Sequence, residues 1–226
     1  MRRIVERAVE IASHGLLLEG DLRIPGRPRG LVIFAHGSGS SRHSPRNRSV
    51  AAALNEAGMA TLLLDLLTAE EEYAERWTRH LRFDLTLLSS RLVSARRWAS
   101  VDQDVGGLPI GYFGSSTGAG AALIAAAYEP EEIAAIVSRG GRPDLAAEAL
   151  PRVRAPILLI VGGNDETVIE LNRQAFEQLR SEKELRIIPG ASHLFEEPGA
   201  LDEVARLAAE WFARQLPRER ERWAHP

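Results

Sequence analysis

Cysteine is absent from this chain of 226 residues. That absence excludes a disulfide frame, a thiolate nucleophile and any cysteine-based zinc site. Long apolar runs are missing too, and no segment approaches the roughly 20 residues that span a bilayer. Glu6 and Glu10 break up the residues after Met1-Arg2-Arg3, so no apolar stretch of signal-peptide length appears. The expectation is a cytoplasmic protein with no membrane insertion. Nor does charge of one sign dominate: 28 Lys and Arg against 31 Asp and Glu leave a formal net charge of -3. This gives no electrostatic case for nucleic acid or an anionic surface as a partner. His14, His43, His80 and His225 lack ligand spacing, so no metal site is expected.

What is present is ordinary globular composition, 45% hydrophobic and 26% charged, with no internal repeat or low-complexity segment. The length suits one well-filled core, read as a single domain over residues 1–216 with a charged, proline-flanked, frayed tail at 217–226. Residues 5–11 alternate with period two and residues 16–24 come after a Ser13-His14-Gly15 turn, which predicts an antiparallel hairpin on a sheet edge. Residues 31–35 are apolar throughout, as in a strand buried on both faces. Further strands are expected at 61–64, 110–113, 133–138, 156–161 and 185–188. Helices are expected at 50–57, 81–98, 119–127, 169–180 and 201–215, with a loop and short helix over 68–79 whose Glu70 to Glu72 run reads as a solvated face. Arg91, Arg96 and Arg97 fall towards the C-terminal end of the 81–98 helix, where cations suit the dipole. Strands alternating with helices this regularly predict an α/β domain with a mainly parallel central sheet flanked by helices.

Chemistry concentrates where strands end. Residues 110–120 read Ile-Gly-Tyr-Phe-Gly-Ser-Ser-Thr-Gly-Ala-Gly: strand, sharp turn, helix. Of the two serines, only Ser116 has glycine at both minus two and plus two, as a nucleophile on a tight strand-to-helix turn needs. Asp165 comes after the 156–161 strand and His193 after the 185–188 strand. Serine, acid, histidine is a triad order: His193 takes the Ser116 proton, and Asp165 fixes its tautomer. The glycine-serine loop at His36 to Ser41 curls its amides inward, so the Ser38 and Thr117 amides are the expected oxyanion donors. Asp144 is a rival acid but reads as the cap of 145–150, and Asp65 satisfies local amides. His36 is a possible substrate contact or a support beneath its loop. Arg139 and Arg142, at a strand's carboxyl end, have the fork that grips a carboxylate.

Four motifs together resemble the α/β-hydrolase family: Leu31-Val-Ile-Phe-Ala-His36-Gly37-Ser38-Gly39, Gly114-Ser-Ser116-Thr-Gly118, Gly162-Gly-Asn-Asp165-Glu-Thr-Val168 and Gly190-Ala-Ser-His193. Within it the chain is similar to small members of the dienelactone hydrolase type. The resemblance implies an α/β-hydrolase fold with no large cap domain and no cofactor. It also implies cleavage of a small-molecule ester. Those relatives carry cysteine as nucleophile where this chain has Ser116, which turns the expectation from dienelactone to carboxylic esters, with short acyl groups suiting an uncapped site. Thioesters, lactones or acyl transfer use the same machinery, and the reading from another class is a non-catalytic ligand-binding protein that keeps the fold.

Overall fold

The computed structural model describes residues 4–216; the expected frayed tail at 217–226 lies outside the described residues. Strands β1 (Val5–Ser13) and β2 (Leu16–Ile24) are joined by His14 and Gly15 at φ of 50° and 80°. Two successive positive φ values are what a two-residue hairpin loop requires. Strands β3 (Leu31–Ala35), β4 (Ala60–Leu64), β5 (Ile110–Ser115), β6 (Ile133–Arg139), β7 (Ile157–Gly162) and β8 (Lys183–Ile188) complete a sheet of order β1-β2-β4-β3-β5-β6-β7-β8. From β4 to β8 every pairing is parallel, and β2 joins β4 antiparallel. The hairpin therefore forms one edge, as its alternation requires.

Helices α1 (Pro45–Glu56) and α6 (Ala200–Gln215) cover one face of the sheet; α3 (Leu85–Val101) and α4 (Thr117–Tyr128) cover the other, where α5 (Glu166–Gln178) also packs. The two apolar layers meet the central strands from both sides, which is why β3, β5 and β7 carry no polar face. The fold is the α/β-hydrolase architecture, without a large insertion among the described residues. No helix there is long and apolar enough to cross a membrane.

Several boundaries differ from the sequence reading for local reasons. Helix α1 starts at Pro45 rather than 50, because Ser44 Oγ accepts from the Asn47 amide and proline suits the first helical position. Residues 68–79 are mostly helix, α2 (Ala69–Thr78), closed at its start by a capping box between Thr68 and Glu71. The expected 81–98 helix is two pieces: a 3-10 turn, Leu81–Phe83, then α3, whose start is fixed by Asp84 accepting from the Leu87 amide at 2.9 Å. The acidic run is not wholly solvated either. Glu71 grips Arg91 through two contacts of 2.6 Å, and Arg91 is buried and also donates to the Leu66 carbonyl rather than serving the helix dipole.

Candidate active site

Strand β5 runs straight into α4, and the residue between them is Ser116, at φ 51° and ψ -125°. A serine in that region is strained, and the surrounding packing holds it there. A Cβ on Gly114 would stand 2.4 Å from Ala119 Cα, and one on Gly118 would stand 2.3 Å from the Ala35 carbonyl oxygen, so only glycine lets the helix start this close to the sheet. The end of β6 fixes the turn further: Ser116 N–H donates to the Arg139 carbonyl (3.3 Å), and Arg142 N–H donates to the Ser116 carbonyl (3.0 Å). Ser115 is 3% exposed with its hydroxyl turned to the Ala35 carbonyl, whereas Ser116 stands partly open. The geometry therefore separates the two serines as their glycine spacing does.

Asp165 caps no backbone amide of α5 with its side chain. Its Oδ2 instead lies 2.6 Å from His193 Nδ1, a partly buried contact that places the ring proton on Nδ1 and leaves Nε2 as the basic nitrogen. His193 packs at the end of β6, where a Cβ on Gly140 would stand 3.6 Å from His193 Cε1. Among the described residues Ser116 Oγ makes no hydrogen bond with His193. The loop after β3 approaches from the other side, where a Cβ on Gly37 would stand 3.1 Å from Ser116 Cβ.

The two expected oxyanion donors occupy different situations. Thr117 N–H lies in the first turn of α4, where helical amides point outward without an intrahelical partner. Ser38 N–H is engaged, donating to Thr117 Oγ1 at 3.0 Å. Ser38 Oγ lies 2.8 Å from that same oxygen and donates to the Arg82 carbonyl at 3.2 Å. Arg82 is in turn held by Glu75, a fully enclosed carboxylate that accepts from the Thr78 hydroxyl, from the amides of His80, Leu81 and Arg82, and from Arg82 Nε. Burial alone would raise the Glu75 pKa, but the hydrogen bonds, led by Arg82, outweigh it and bring it down to about 2. Nothing in the spacing of residues 68–83 signals this knot.

The remaining candidates divide clearly. His36 does not face the site: at 6% exposure, its Nδ1–H donates to the Gly37 carbonyl and its Nε2 accepts from the Leu66 amide. Its pKa is lowered by burial, which keeps the ring neutral as a brace under the loop. Arg142 has its fork on Asp144, with both contacts at 2.8 Å, so Asp144 is neither a rival acid nor the expected cap. Asp65 accepts from the Arg42 amide and pairs with its guanidinium. Arg139 is 7% exposed, ends β6 beside the Ser116 turn, and is paired with no carboxylate among the described residues. Its Nη1 is enclosed without an acceptor, and burial together with the nearby charge of Arg46 pulls its pKa down to about 10. Among the described residues, no three His, Cys, Asp or Glu side chains are grouped to hold a metal ion.

Comparison with known proteins agrees with the fold. The model of the "Dienelactone hydrolase family" matches residues 18–217. Proteins from two strains of Mycobacterium tuberculosis, each carrying the provisional name phosphoribosyl transferase, are 53% identical over 211 residues, covering 93% of this chain and 47% of theirs. The chain thus spans about half the length of those relatives. The crystal structure of a dienelactone hydrolase from Anabaena variabilis superposes with a TM-score of 0.93 at 60% identity, over 94% of this chain and 99% of that one. Est1E from Butyrivibrio proteoclasticus shares the fold at a TM-score of 0.77 and 20% identity, over 92% of this chain and 98% of its own. On the family match and these identities, the chain belongs to the dienelactone hydrolase family, with the fold of ester-cleaving hydrolases.

Proposed function

We propose that the protein hydrolyses carboxylic esters through an acyl-enzyme on Ser116. The observation that carries this reading is the 2.6 Å contact of Asp165 with His193, on the same sheet edge as a serine held at φ 51°. Ser116 Oγ attacks the acyl carbon and its proton passes to His193 Nε2. The tetrahedral oxyanion is held by the Thr117 and Ser38 amides. On collapse the alkoxide leaves with the His193 proton. A water molecule then repeats the sequence, giving up its proton to His193, and releases the acid. Asp165 keeps the imidazole in the productive tautomer and stabilises its cation.

Short acyl groups suit the surroundings. Behind the oxyanion loop, between His36, Thr117 and Leu88, only about 10 Å³ is open, so no inward tunnel is formed there. On the outer side a groove of about 600 Å³ runs past Ser38 and Phe83, flanked by Arg76, Arg79 and Arg82. The transferase name belongs to the longer mycobacterial proteins, and the half of each that aligns is the half resembling this hydrolase-family chain.

Initial rates on p-nitrophenyl esters from acetate to long acyl chains, with Ser116→Ala as control, test the reading. Acetate and butyrate turn over and the variant falls to background. If folded wild-type protein stays at background on every ester and takes no fluorophosphonate on Ser116, the esterase reading gives way to ligand binding.

A further inference from the structure

The donor that an oxyanion needs most is already in use. Ser38 N–H points at Thr117 Oγ1 (3.0 Å), the Ser38 hydroxyl lies 2.8 Å from that oxygen, and it also lies 3.2 Å from the Arg82 carbonyl. A carbonyl can only accept, so Ser38 Oγ–H goes to Arg82, and the Thr117 hydroxyl proton must go to Ser38 Oγ. Thr117 Oγ1 therefore donates once and accepts once, and the ring of hydrogen bonds is complete. Thr117 Oγ1 thus fills the acceptor place of the Ser38 amide, which a substrate carbonyl held by that amide would have to take over.

We propose that the Thr117 hydroxyl is a latch on the oxyanion hole, holding the Ser38 amide until a substrate's carbonyl oxygen displaces it. The inference rests on the esterase reading above and assigns to the Thr117 side chain a part separate from that of its amide. The moving piece is the side chain and not the loop. Ser38 is tied at its hydroxyl to Arg82, whose Nη1 also lies 3.3 Å from where a Gly39 Cβ would stand. Arg82 is itself fixed by the enclosed Glu75. Thr117, though only 5% exposed, is the first residue of α4, so a change of χ1 that exchanges its hydroxyl and methyl meets no preceding helical turn. Displacement exchanges one neutral acceptor for another when the ester is in its ground state, so the Ser38 amide adds little to the binding of the resting substrate. A tetrahedral oxyanion is a charged acceptor and forms the stronger bond. The latch thus keeps the amide's contribution for the transition state, where it accelerates the reaction.

Three measurements test it. In Thr117→Val the branched shape stays and the oxygen goes, while Thr117→Ser restores a hydroxyl. On p-nitrophenyl acetate, Thr117→Val raises kcat/KM by roughly three- to tenfold, the size of one net hydrogen bond, mainly through a lower KM. Thr117→Ser returns it to the wild-type value. A fall in kcat/KM for Thr117→Val, or no change, overturns the latch while leaving the esterase reading intact. Amide hydrogen exchange reads the same contact without catalysis: the Ser38 amide exchanges faster in Thr117→Val, and equal protection overturns the proposal. A crystal structure of fluorophosphonate-labelled protein then shows the phosphoryl oxygen on Ser38 N–H with Thr117 Oγ1 turned away; Ser38 still bonded to Thr117 there overturns it as well. Wild-type protein without turnover and without label on Ser116 overturns both readings together.

Discussion

At the scale of single residues, Asp165 shows how one side chain can have two duties open to it and perform one. It heads α5, where aspartate ordinarily accepts from a helix amide, yet its carboxylate goes to His193 at 2.6 Å. The two roles predict different losses. Asp165→Asn keeps the shape but permits the wrong imidazole tautomer, and kcat on p-nitrophenyl acetate falls by about three to four orders of magnitude with little change in KM. A simple cap would survive the change, since asparagine caps a helix as well as aspartate does, and would leave kcat alone, so a variant with near-normal kcat counts against the triad. The tight turn at Ser116 was legible from its flanking glycines, and Asp165 and His193 from their places after strands, because close packing fixes backbone freedom at the one and sheet topology gathers the others at one edge. Arg139 was legible as an arginine at a strand end, but not as a buried cation without a carboxylate partner among the described residues, since the charge that bears on it, Arg46, comes from the distant helix α1. Likewise the sequence marks Ser38 as a donor and cannot say that Thr117 already holds it.

At the scale of elements, the informative segment is the one between β4 and α3. The Thr68-x-x-Glu71 capping box lay in plain view and predicts α2, but the acidic run hid it. Glu75 was not legible in any pattern, because its donors come from residues 78–82 only after the chain has reversed at Arg79, φ 51°. The knot has a pH signature. The Glu75 pKa stands at about 2 in the folded protein against an ordinary 4.5, so the folded state favours the carboxylate. Its stabilisation is complete above about 4.5 and is lost as pH falls towards 2. Glu75→Gln therefore melts below wild type at pH 7, and the gap between the two narrows as pH drops through 4.5, as read by scanning calorimetry. A gap that stays constant down to pH 3 would show that the charge on Glu75 is not what holds the segment.

At the scale of the whole molecule, the fold was legible because the central strands are continuous apolar runs and the site loops lie at their carboxyl ends. What the pattern could not supply is which helix rests on which strand. Strand β5 illustrates the constraint. It leads directly into Ser116 and has glycine at position 111, and the Phe212 ring of α6 fills the space that a side chain there would take: a Cβ would stand 2.6 Å from Phe212 Cε1 and 3.2 Å from the Ala135 carbonyl oxygen. Sheet and helix are thus matched through an absence of side chain on one and a buried aromatic on the other. Gly111→Ala overpacks the layer and destabilises by about 1–3 kcal/mol. Phe212→Ala leaves a cavity and destabilises by about 3–5 kcal/mol. The two are in contact and do not add. In the Phe212→Ala background the alanine methyl at 111 enters vacated space, so Gly111→Ala there is close to neutral or stabilising, and urea midpoints of the four proteins read the coupling directly. Strict additivity would mean that α6 shifts on the sheet to accommodate either change, and that β5 is held by its neighbours β3 and β6 rather than by the helix above it.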